Sequence, residues 1–158
     1  MENKSKLVLI TYDAQLTKLK IVPKCHKTKV SYELKIYDEK LQRKVQKKLT
    51  FKKVVAVEFH MNYFDNPIGA ECCGFYEIFD KTEKEAMIER NFKIRKENFL
   101  FHGDYTYDAE DEHDLLNYRE DMEKILKRLD EYHLFQQQTT GGVYSILAKK
   151  WVLQTYGY

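Results

Sequence analysis

The sequence predicts an α+β fold: a mostly antiparallel, curved sheet of about six to eight strands with one long amphipathic helix, at about residues 111–133, packed on it. Three observations lead there. Several short stretches alternate apolar and polar residues with period two, and they lie both before and after one stretch of period 3.6. The regular β-α-β-α succession of a parallel sheet is missing. The connections are short, which suits antiparallel neighbours. A length of 158 residues is one domain by the usual prior, so residues 1–158 are expected to share one core. A charged fraction of 33% and an aromatic fraction of 14%, with six Gly and two Pro, exclude disordered and collagen-like chains.

The elements follow in order. Leu7–Tyr12 and Leu16–Val22 read as an opening hairpin turned at Asp13-Ala14, and Pro23 ends it because it has no amide proton for a ladder. Residues 24–29 form a basic loop. Val30, Tyr32, Leu34 and Ile36 make the dry face of the next strand, with Ser31, Glu33 and Lys35 on the wet one. After a turn at Asp38-Glu39-Lys40 and a polar stretch, Leu49, Phe51, Val55, Val57 and Phe59 share a face interrupted only by Lys53. Val54 and Ala56 on its other face mark a central strand. Asp65–Gly69 is turn-like, and Ala70–Phe79 returns to strand.

Between 81 and 95 two patterns compete. Thr82 and Glu85 have the capping-box form of a helix start, whereas Ile88, Phe92 and Ile94 share strand parity. The strand, at about 86–95, is the favoured expectation, with a further short strand at Phe99–His102. In the long helix, Leu115, Tyr118, Met122, Ile125, Leu126, Leu129 and Tyr132 fall in an arc of roughly 120°. Glu120–Lys124 and Glu123–Lys127 are spaced for ion pairs. Gln136–Gly142 reads as a loop and Val143–Leu153 as the closing strand.

Charge is unevenly distributed. Residues 1–60 hold 15 Lys+Arg against 6 Asp+Glu, and residues 61–158 hold 12 against 19, giving +9 and −7 within a formal net charge of +2. Lysine outnumbers arginine by 22 to 5, which weakens any reading based on bidentate recognition of particular bases. No apolar run reaches the roughly 18–20 residues of a membrane helix, and Leu7–Ile10 is too short for a signal-peptide core. Three cysteines make no disulfide framework. A cytoplasmic protein is therefore expected, with no membrane association.

The chemical motifs are few. Cys25, Cys72 and Cys73, with His26 and His60, lack the spacing of a zinc site. The acidic stretch from Asp104 has Ala109 where a calcium loop requires Gly. Neither a metal nor a cofactor is expected. Asp13 with Glu33-Leu34-Lys35 resembles the acid plus Glu-x-Lys pattern of divalent-metal nucleases, on a spacing common in any lysine-rich strand. The leading functional expectation is a small non-catalytic protein-interaction module, in the manner of a bacterial accessory or toxin-neutralising immunity protein. Its contact residues would be Tyr105, Tyr107, Asp108, Glu110, Asp111 and Glu112, where aromatics accompany acids. The alternative is non-specific nucleic-acid binding through Arg43, Lys44, Lys47, Lys48, Lys52 and Lys53. The metal-dependent nuclease stands third.

Overall fold

The computed structural model describes residues 4–24, 27–61, 71–100, 109–139 and 142–156. Their order is β1 (Ser5–Val22), β2 (Lys29–Asp38), β3 (Arg43–Met61), β4 (Glu71–Ile78), α1 (Lys81–Leu100), α2 (Ala109–Lys127), a 3-10 turn (Leu129–Glu131), β5 (His133–Thr139) and β6 (Gly142–Tyr156). The strands form one antiparallel sheet in the order β1-β2-β3-β6-β5-β4. The sheet curves until β4 pairs with β1, so that it closes as a barrel. The α+β class and the curved antiparallel sheet stand as expected.

The chain divides into two compact units. One, Met1–Phe79 and Tyr132–Tyr158, holds the six described strands; the other, Asp80–Glu131, holds the two described α-helices.

In the barrel, the alternation of β2 fixes which side is dry. Val30, Tyr32, Leu34 and Ile36 are all buried, and their partners Phe51, Leu49 and Val45 on β3 are buried with them. Tyr32 meets Phe51 and Phe75 edge-on, at 6.0 and 5.2 Å between ring centroids, and Phe135 lies 4.9 Å from Phe51. Edge-to-face rings at these distances add to the free energy gained by removing them from water.

Four expectations are corrected. The first is the opening hairpin, which is a single bent strand. Asp13 does take the left-handed conformation of a turn residue, with φ 56°, but the chain bulges there instead of reversing. The bend lets the first half of β1 pair with β4 and the second half with β2. A bulge is the usual device for turning a strand round a barrel corner. The second concerns β3, where Lys53 has φ 53° and the register slips again between Val54 and Ala56. Leu49, Phe51, Val57 and Phe59 therefore keep to the core, Val54 joins them, and Val55 turns to solvent.

The third correction is at 81–100, which is helical and not the strands expected at 86–95 and from Phe99. Ile88 and Phe92 are four apart and satisfy either period, while Ile94 is exposed. Asp80 caps the helix, its carboxylate accepting hydrogen bonds from the Thr82 backbone N–H at 2.9 Å and the Thr82 hydroxyl at 2.6 Å. The fourth is the end of the long helix. It stops at Lys127, tightens into the 3-10 turn, and gives way to β5 at His133. Gln136–Thr139, expected in a loop, belongs to that strand, paired with β4 on one side and β6 on the other.

Within the helical unit, the expected stripe of α2 is present: Tyr118, Met122, Ile125 and Leu126 are half-buried, and Leu129 beyond the helix is buried. The Arg95 guanidinium of α1 sits 3.8 Å from the centre of the Tyr118 ring of α2, a cation–π contact between the two helices. The ion pairs of α2 differ from those expected, Arg119 with Glu123 and Lys124 with Asp121. No helix among the described residues is long and apolar enough to cross a membrane.

Candidate functional site

Because β1, β2, β3 and β6 are neighbours, side chains at matching register positions form rows across the outside of the barrel. One row reads Val22, Lys29, Lys52, Lys150. The next reads Lys20, Ser31, Thr50, Val152, and the third Lys18, Glu33, Lys48, Gln154. A fourth holds Lys35, Gln46 and Tyr156, and Tyr37 and Lys44 end the series on β2 and β3. Among the described residues, eight lysines thus share a face with one carboxylate, that of Glu33.

Lys48 Nζ lies 3.7 Å from Glu33 Oε1. The other seven lysines have no ion pair among the described residues. A sheet that only needs a wet face places unlike charges opposite one another, since like charges directly across strands destabilise it. Lys29, Lys52 and Lys150 break that rule in a single row. Lys20, Lys29, Lys48 and Lys52 line a depression of about 290 Å³ with Ser31, Thr50, Val22, Val152 and Gln154. Ammonium groups, two hydroxyls and an amide surround it, a donor set suited to anionic oxygen. Beside it, Lys48, Glu33, Gln46 and Tyr156 line a second recess.

Of the six basic residues singled out in the sequence, Lys44, Lys48 and Lys52 belong to this face. Lys47 does not: it takes an inward position opposite Leu34 and lines a separate depression with Asp13, Asp38 and Glu39. Arg43 begins β3 opposite Asp38, and Lys53 occupies the bulge. Sequence reasoning missed Lys18, Lys20, Lys29, Lys35 and Lys150 as members of one surface. The first four carried a signal, since alternate positions of consecutive strands in a meander share a face. Lys150 carried none, because only the pairing of β3 with β6 brings it to Lys52.

The acidic candidates fare differently. Tyr105, Tyr107 and Asp108 lie outside the described residues. Glu110, Asp111 and Glu112 fall in the first turn of α2, with their side chains outside the described ones. Of the nuclease-like set, Glu33 and Lys35 sit on the lysine face, whereas Asp13 lines the other depression. Cys25 and His26 are outside the described residues, and Cys72 and Cys73 are on β4. No three His, Cys, Asp or Glu among the described residues gather as a metal site would require. No protein-family model matches the chain, and no curated protein and no solved structure shows significant similarity to it.

Proposed function

We propose that the protein is a non-catalytic nucleic-acid-binding module that works through the lysine face of β1, β2, β3 and β6. One observation carries the reading: Lys29, Lys52 and Lys150 stand in a cross-strand row, flanked by Lys20 and Lys48, where one carboxylate among the described residues shares the face. A phosphodiester backbone supplies the missing anions at short, regular intervals, and lysine meets them as a point charge without reading sequence. The scarcity of arginine fits the same picture. A protein partner at the acidic segment, the other expectation from the sequence, draws no support from described side chains.

The test is titration of labelled oligonucleotides across a range of salt. Binding is expected to weaken steeply with salt, with a log–log slope of about −0.7 to −0.9 per phosphate neutralised. Lys52→Glu should weaken binding by about tenfold or more, on the order of the coupling of close charge pairs, while the melting temperature stays level or rises as the lysine row loses its repulsion. Affinity that is absent at low salt, or present but untouched by Lys52→Glu, would reject the proposal. So would selective binding to anionic vesicles in place of nucleic acid.

A further inference from the structure

We infer that the nucleic acid taken by this face is single-stranded and that one unpaired base stacks on Tyr156. The inference rests on the nucleic-acid reading of the lysine face and adds the class of ligand. Two features of the surface point to it. The first is Tyr156, which is 41% exposed at the end of β6 and shares a recess with Lys48. Its hydroxyl donates a hydrogen bond to Gln154 Oε1 at 3.1 Å, on the neighbouring outward position of the same strand. Lys48 is paired with Glu33 in that recess, but the exposed ring can take a base on its face while Lys20, Lys29 and Lys52 of the adjoining depression take phosphates along the strand. Bases in a duplex are stacked on one another and offer no free face; bases in a single strand do.

The second feature is curvature. The lysines lie on the outer side of a sheet that curves until it closes, and the rows run across four of its strands. A duplex is stiff, with a persistence length of about 150 base pairs, and meets such a surface at few phosphates unless it is bent at a cost. A single strand follows the curve from β1 across β2 and β3 to β6. Stacking is tolerant of sequence because every base has a π-face, in keeping with a face built of lysines.

The experiment compares three labelled ligands at equal phosphate concentration: oligodeoxythymidine, the same strand annealed to oligodeoxyadenosine, and an abasic strand of the same length. The single strand should bind tightest. Tyr156→Ala should weaken it by about 5-fold to 150-fold, leave the salt slope unchanged, and leave the duplex and the abasic strand unaffected. Tyr156→Phe should restore binding. Lys52→Glu should weaken all three. A duplex bound as tightly as the single strand, or a Tyr156→Ala loss equally large on the abasic strand, would overturn the inference while the nucleic-acid reading stood. No binding to any of the three would overturn that reading, and the inference with it.

Discussion

At position 53 a lysine holds the left-handed conformation, φ 53°, in the middle of the longest strand. For an L-residue that backbone costs about 1–2 kcal/mol, and glycine avoids it at the expense of greater freedom in the unfolded chain. Lys53→Gly is therefore expected to raise stability by up to about 1 kcal/mol, and Lys53→Val to lower it, since β-branched residues tolerate positive φ least. Chemical denaturation of both variants checks the pair; the opposite order would show that the bulge is set from elsewhere. Gln137 is a second strained residue of another kind. It is fully buried, opposite Phe75 and Tyr144 in the barrel interior, and neither polar atom of its amide has a hydrogen-bond partner among the described residues, nor does Thr11 Oγ1. An orphaned buried polar group costs about 1–3 kcal/mol. Gln137→Met keeps the unbranched shape and removes both atoms, so Tm should rise by about 2–4 °C. A comparable fall in Tm would contradict the orphaned amide.

At the scale of elements, legibility followed periodicity. β2 was readable to the residue because Val30, Tyr32, Leu34 and Ile36 are each buried at a strict spacing of two. β5 was not, because its sequence His-Leu-Phe-Gln-Gln-Gln-Thr offers no alternation; two neighbouring strands hold it in the barrel, a tertiary effect that a local pattern does not encode. Asp13 reads in the sequence as the turn of a hairpin and Lys53 as a break in an apolar face; both take the left-handed conformation, but the hairpin is a single bent strand. What a sequence leaves open is whether an αL residue reverses a chain or only bends it, since that depends on which strand is waiting beyond. α1 was missed for a related reason: Ile88 and Phe92 are spaced to fit either period, so their shared parity does not tell strand from helix. In the other helix the stripe was right and its end was not. Leu129, 2% exposed, is the most buried described residue of that stripe. Leu129→Ala should cost about 2–5 kcal/mol and Lys124→Ala well under about 1 kcal/mol, the latter being an exposed lysine paired within its own helix. Thermal melts that lose equal stability in the two variants would place the stripe wrongly.

For the molecule as a whole, the opposition between a basic first part and an acidic remainder was legible in the sequence, but its meaning was not. Residues 1–60 hold an excess of nine positive charges, and a large share of them lies on one outer surface of the barrel. Lys18 and Lys20 looked like an ordinary wet face of one strand; so did Lys35 on another. They become a surface only when register sets the strands side by side, and Lys150 completes it from near the far end of the chain. The most direct test of that surface is a lysine-modification footprint, with and without saturating oligodeoxythymidine, read residue by residue by mass spectrometry. Lys20, Lys29, Lys52 and Lys150 should be protected together by the bound strand. Lys81, Lys93 and Lys124 of the helical unit, exposed and each paired within its own helix, should react as they do in the free protein. Protection spread evenly over both sets, or confined to the helical lysines, would contradict the account.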